Sequence, residues 1–269
     1  MARTWSMKSE KKRNPPSRAN NTSAHAGAKP RRINRILSLA GVTSRRKADD
    51  LIKAGRVTLE GHVVKELGTR AVWGEDSIKV DGKEISKPSA RIYLMLNKPF
   101  AYISALSDPA GRPLVTDLIK DIEERVYPVG RLDFDSLGLL LLTNDGEWAY
   151  RLTHPRYHVP RTYKLTVEGR ISAETLNSLA NGVRLEDGFS GPAKVALLRQ
   201  EEGKSVIRMT ITVGKSRLVR RMLEAVGHKV IQLTRIGFGG LELGGLKVGE
   251  YRRLETHEVE SMKKMVGMH

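Results

Sequence analysis

The 269-residue sequence contains no cysteine. A disulfide framework, a thiolate zinc site, an iron–sulfur cluster and a cysteine nucleophile are thereby excluded. Long apolar runs are missing too. The longest, at 92–96 and 139–142, fall far below the roughly 18 residues that a membrane span needs, so no membrane partner is expected. Acidic residues are scarce at the start of the chain. Residues 1–35 hold ten basic side chains and only Glu10 in opposition, which places +9 of the formal +17 in that segment. What is present is a hydrophobic content of 39%, enough for a core, in a length that suits about two domains. With 47 Lys and Arg against 30 Asp and Glu, the chain is suited to a polyanionic partner.

The first 30 residues combine basic side chains with Pro15, Pro16, Pro30 and the polar run RANNTSAHAGA, and read as a disordered basic arm. Such an arm either tethers phosphates with release of counterions or simply solubilises. Its Arg- and Ser-rich, acid-poor composition also fits an organelle transit peptide, but it lacks the apolar spacing of an amphipathic helix. Residues 31–88 then form a small α+β unit. Ile33, Ile36 and Leu37 have helical spacing and stop at Gly41; Ala48, Leu51 and Ile52 repeat it after Thr43 or Ser44 as N-cap and stop at Gly55. Strand signals follow, with Asp81-Gly82 as a hairpin turn. Arg35, Arg45, Arg46, Lys47, Lys53 and Arg56 make this unit strongly basic.

SKPSA at 86–90 reads as a linker, and the following domain opens with the buried strand IYLMLNKP. Further strands are expected near 139–143, 162–168, 193–199 and 205–213, with helices near 114–121, 172–181 and 216–226. Mostly strands with interspersed helices predicts a mixed α+β sheet domain rather than a doubly wound one.

Phosphate-loop and dinucleotide motifs fail on spacing. Leu198 and Met209 stand where the first Walker glycine is required, and IGFGGLELGGLKVGE comes too late in the chain to begin a βαβ unit. Pro155 interrupts the His154/His158 pair, so no metal site emerges. More informative is YPVGRLDFDSLGLLLLTNDG. Asp133 sits between Leu132 and Phe134 ahead of an intensely apolar strand, where water is expected to be excluded and a cationic partner or a raised pKa would follow. A calcium loop fails at Leu137 and Asn144. A phosphatase-type pair of Asp133 and Asp135 and a simple capped turn remain open on the residues alone. In GKSRLVRRMLEAVGH, Val219, Met222, Leu223 and Val226 share one helical face, and Arg217, Arg220, Arg221 and Glu224 the other. The arginines suit a phosphate, a buried carboxylate, or both.

RINRILSLAGVTSRRKADDLIKAGRV and VDGKEI resemble the ribosomal protein S-four-type RNA-binding domain, whose two short helices form a basic face for structured RNA. NKPFAYISALSDPAGRPLVTDLI, YPVGRLDFDSLGLLLLTNDG, RLTHPRYHVPRTYKLTVEG, GKSRLVRRMLEAVGH and LGGLKVGEYRRL resemble, in order over 91–255, the bacterial ribosomal RNA pseudouridine synthases of the RsuA/RluB type. The resemblance implies an S-four-type domain followed by a mainly antiparallel catalytic sheet, with 256–269 as a C-terminal tail. It makes Asp133 the catalytic carboxylate, Arg220 its cationic partner and Tyr163 the residue against the base, and it lets Arg131 insert where the base leaves the stack. RNA contacts are assigned to Arg35, Arg45, Arg46, Lys47, Arg56, Arg217 and Arg221. No cofactor is implied, because the reaction rearranges uridine without redox change or external group transfer.

Length and basic termini incline the expectation to an enzyme acting on large-subunit (23S) RNA, and the protein is expected to be a cytoplasmic monomer. A small-subunit (16S) enzyme and a non-catalytic ribosome assembly factor are the alternatives. The family often carries Asn and Gln where this chain has Ser216 and Leu218, which bears on RNA contacts rather than on catalysis.

Overall fold

The computed structural model describes residues 29–86 and 90–268. All but the last two residues of the basic arm, and most of the 86–90 linker, therefore lie outside the described residues. In the N-terminal unit, helix Ile33–Leu39 buries Ile33, Ile36 and Leu37 and ends where Gly41 adopts a φ of +81°. The next helix, Arg45–Lys53, begins at Ser44, whose hydroxyl accepts from the Lys47 amide at 3.2 Å. It buries Ala48 and Ile52 and leaves Arg45, Arg46 and Lys47 exposed. These apolar positions meet Val57 and Ile78 from a four-stranded antiparallel sheet, giving the unit its own core. In the hairpin joining Ile78–Val80 to Lys83–Glu84, Asp81 and Gly82 both have positive φ, as a tight two-residue turn demands.

The C-terminal unit is built on a nine-stranded sheet. Its main path runs Lys194–Glu201, Lys204–Ile211, Arg161–Glu168, Val230–Phe238, Leu137–Thr143, Tyr93–Lys98, Tyr251–Arg253. All neighbours are antiparallel except Val230–Phe238 and Leu137–Thr143, which meet in parallel through Thr234 with Leu137 and Arg235 with Gly138. The unbroken run at 139–142 reflects burial on both faces. Leu140 and Leu142 belong to one core with Leu94, Leu96, Met222 and Leu179, whereas Leu139 and Leu141 join Met95, Trp148, Leu152 and Met262 on the other face.

Two segments differ from the sequence expectation. Asn144-Asp145-Gly146 is a helix start rather than a simple turn: the Asp145 carboxylate accepts from the amides of Glu147 and Trp148, capping Gly146–Thr153. The region past 255 is no loose tail. Thr256–Met265 is a helix that buries Val259 and Met262 against the sheet, because its apolar residues recur at helical spacing. No helix among the described residues is long and apolar enough to cross a membrane.

The two units touch. Arg35 pairs with Glu147 at 2.9 Å, and the Arg125 guanidinium donates to the Thr43 carbonyl at 3.4 Å.

Candidate active site

A cavity of about 280 Å³ opens between the loop at 129–136 and the segment 213–220, with the sheet as its wall. It is lined by Arg131, Asp133, Tyr163, Arg217 and Arg220, five residues brought together from separate stretches of sequence. This volume is at or just below the lower end of the roughly 300–1,000 Å³ of small-molecule pockets, enough for one nucleobase but not for a polynucleotide.

Gly130, with φ +77°, turns the chain ahead of the loop. From there the residues divide between core and surface. Leu132 is buried, while Asp133 lies at the cavity mouth with its side chain 42% exposed and Phe134 is exposed. The dry environment expected for Asp133 is thus corrected: the neighbouring leucines fill the core beneath the loop and do not enclose the carboxylate. Ser104 fixes the loop, its hydroxyl donating to the Leu132 carbonyl at 2.9 Å and accepting from the Leu132 amide at 3.2 Å.

The arginine partnership is also redistributed. Arg220, with a side chain only 7% exposed, reaches the Asp135 carboxylate at 3.1 Å and the Asp135 carbonyl at 3.3 Å. Arg217, at the left-handed start of helix Leu218–Ala225, bridges Asp133 at 3.9 Å and Asp135 at 3.7 Å. The expected Asp133–Arg220 pair is replaced by a four-member cluster, because both carboxylates project toward the same helix start. Among the described residues, the buried Nε of Arg220 has no hydrogen-bond partner. Asp133 lines the cavity; Asp135 serves as the anchor for Arg220.

Tyr163 belongs to the buried face of strand Arg161–Glu168, with Arg161, Leu165 and Val167, and pairs across the sheet with Arg235. Sequence reasoning missed the two buried arginines at this wall. Arg235 donates from Nε to the Leu139 carbonyl at 2.7 Å. Burial lowers its pKa, and the nearby Tyr163 opposes that fall. Arg161 is held by the carbonyls of Val159, Leu152 and Thr212, and burial lowers its pKa too. Their guanidiniums lie 5.3 Å (Arg161) and 5.1 Å (Arg235) from the Phe238 ring centroid.

A third missed cation is Lys98, fully buried, donating to the carbonyls of Ser136 at 2.7 Å and Pro99 at 3.0 Å. Desolvation pushes its pKa down to about 8, against the attraction of Asp135 and Asp133. The signal available in sequence was an Arg or Lys falling in phase with the buried positions of a strand.

Of the residues assigned to RNA, Arg131 is exposed and lines the cavity, and Arg45, Arg46 and Lys47 are exposed at the start of their helix. Three others are committed within the protein. Arg35 pairs with Glu147, Arg56 grips Asp81 at 2.8 and 2.5 Å, and Arg221 grips Asp187 at 2.8 and 3.3 Å, holding that carboxyl below its ordinary pKa. Each had a carboxylate brought within reach by the fold from a distant part of the chain, a competitor that local sequence does not reveal.

The combination of a basic two-helix module with a sheet cavity bearing Asp, Tyr and Arg suits a protein that acts on RNA. The family model described as RNA pseudouridylate synthase matches residues 92–225, and that of the S4 domain matches 31–72. The chain is 47% identical to ribosomal large subunit pseudouridine synthase B of Bacillus subtilis over 87% of its own length and 96% of the relative's. It is 35% identical to ribosomal small subunit pseudouridine synthase A of Yersinia pestis, with 86% and 97% covered. A crystal structure of a pseudouridylate synthase superposes with a TM-score of 0.62 at 29% identity, covering 86% of this chain and 99% of that one. The chain belongs to the RsuA/RluB-type ribosomal RNA pseudouridine synthases.

Proposed function

We propose that this chain converts uridine to pseudouridine at one or a few positions of the large-subunit (23S) ribosomal RNA, working in the cytoplasm as a monomer and without a cofactor. Support for the large subunit comes from 47% identity to the Bacillus large-subunit relative against 35% to the Yersinia small-subunit one.

The observation that carries the chemistry is the cavity with Asp133 at its mouth, Tyr163 in its wall, Arg217 beside the Asp133 carboxylate and Arg220 held next to it by Asp135. Isomerisation breaks the bond from uracil N1 to the ribose, turns the base, joins C5 to the same sugar carbon, releases the C5 proton and leaves N1 carrying a proton taken up in exchange. In this reading Asp133 attacks the sugar or the base, or promotes proton loss from the sugar. Tyr163 supports the base and assists removal of the C5 proton. Arg220, tied to Asp135, adds positive charge to the cluster that Arg217 extends to Asp133. Arg131, exposed at the mouth, takes the place of the extruded base and offsets an unstacking cost of a few kcal/mol. Arg45, Arg46 and Lys47 supply phosphate contacts remote from the chemistry.

Tritium release from ribosomal RNA labelled at uridine C5 tests the reading. Asp133→Asn and Asp133→Ala are expected to bind RNA nearly as wild type yet release no tritium; release at the wild-type rate by both would refute the role of Asp133. Position-resolved mapping of both ribosomal RNAs, with and without the protein, tests the target. A change confined to 16S RNA would redirect the proposal, and an unchanged profile would favour a non-catalytic assembly role.

A further inference from the structure

We propose that Phe100 and Phe134 form a stacking platform for an unpaired nucleobase next to the target uridine. The inference rests on the reading of the cavity as a ribosomal RNA synthase site. Phe134 directly follows Asp133, and its ring lies 6.1 Å from that of Phe100 at an interplanar angle of 51°. The two residues are 39% (Phe134) and 58% (Phe100) exposed, although each is an apolar surface that folding could have buried. The Arg112 guanidinium, fixed by a bidentate pair to Asp108 at 2.9 and 2.7 Å, stands 5.8 Å from the Phe134 centroid and braces it.

The pair is preorganised. The Ala101 amide donates to the Phe134 carbonyl at 3.0 Å, and Ser104 holds Leu132, so the loops carrying the two rings are latched together. Ala101 adopts a φ of +63°, an uncommon conformation for a residue with a side chain, in the turn that follows Phe100.

The occupant follows from the neighbourhood. The cavity takes one base, so extruding the target leaves its neighbours at the rim without a stacking partner. Phe134 is exposed and directly follows Asp133, which lines the cavity, and the exposed Arg131 and Arg217 line it too, as partners for the adjoining phosphates. Aromatic rings beside exposed arginines match a single strand, which presents flat bases on a charged backbone.

Phe100→Ala/Phe134→Ala should bind unmodified 23S transcripts about 5- to 150-fold more weakly, the range of one lost base–aromatic stack, with a matching rise in KM for tritium release. Because both rings are exposed, the fold should survive. Tyr or Trp at both positions should restore binding to within about threefold of wild type, whereas Leu should not, since stacking requires a π face. An abasic nucleotide beside the target should weaken wild type comparably and cost the double variant little more. Unchanged Kd and KM in the double Ala variant, or full rescue by Leu, would overturn the platform. If wild-type protein releases no tritium, the synthase reading fails, while the Kd comparison still decides the platform.

Discussion

Lys98 offers a quantitative check on the structure beneath the catalytic loop. The ammonium is fully buried, held by two carbonyls, with its pKa lowered to about 8 chiefly by desolvation. In the unfolded chain its pKa returns to about 10.4. Below pH 8 both states are protonated, and the burial cost is constant. Between about 8 and 10.4 the unfolded state binds the proton and the folded state does not, so stability rises with pH. At about 1.4 kcal/mol per pH unit, this contribution reaches about 3 kcal/mol.

Lys98→Met removes that titration while keeping an unbranched side chain of similar length. In a Trp5→Phe/Trp73→Phe background, fluorescence reports on Trp148, which lies in the catalytic core. Urea unfolding at pH 7.5, 9 and 10.4 should show the stability of the protein that retains Lys98, relative to the Lys98→Met variant, rising by about 3 kcal/mol over the series. Groups common to both proteins cancel in the subtraction. A difference that stays constant within about 1 kcal/mol, or falls with pH, would refute the reasoning.

Asp135→Asn should lower tritium release by about 10- to 100-fold without abolishing it, since Asn keeps a carbonyl acceptor for Arg220 but loses the charge; a loss as complete as that of Asp133→Asn would give Asp135 a direct part in the chemistry. Arg45→Ala/Arg46→Ala/Lys47→Ala should weaken RNA binding and reduce the slope of log K against log salt by about 2 to 3. Arg35→Ala should leave that slope unchanged and cost at most about 1 kcal/mol, because the Arg35–Glu147 pair is 40% and 42% exposed. Gly138→Ala would place a Cβ 2.2 Å from the Arg235 carbonyl oxygen at a φ of +101°, so a loss of at least about 3 kcal/mol, seen as a fall of about 6–12 °C in Tm, is expected.

Periodicity made much of this architecture legible. The alternation around Tyr163, the two-faced apolar strand after Asp133 and the caps at Ser44 and Gly55 are local signals, and each is realised. The identity of the cavity residues was legible through ordered motifs. Their pairings were not: Arg220 lies 85 residues from Asp135, and two carboxylates two positions apart offer local sequence no means of choosing between them. Arg161, Arg235 and Lys98 escaped notice because a basic residue is ordinarily assigned to the surface. Only the fold shows the carbonyls and the Phe238 ring that make their burial tolerable. The helix at 256–265 was overlooked because its apolar positions are few and surrounded by charge.

The parallel pairing of Leu137–Thr143 with Val230–Phe238 joins two otherwise antiparallel halves through a narrow seam. Asp133, Asp135 and Lys98 belong to one half; Tyr163, Arg161, Arg235, Arg217 and Arg220 belong to the other. Every carboxylate–guanidinium contact described at the cavity therefore crosses this seam as a staple. Reactive geometry is set by the relative placement of two plates rather than by either plate alone. A substitution at the seam, such as one at Gly138, would displace all these groups together, with a leverage that its distance from the substrate would not suggest.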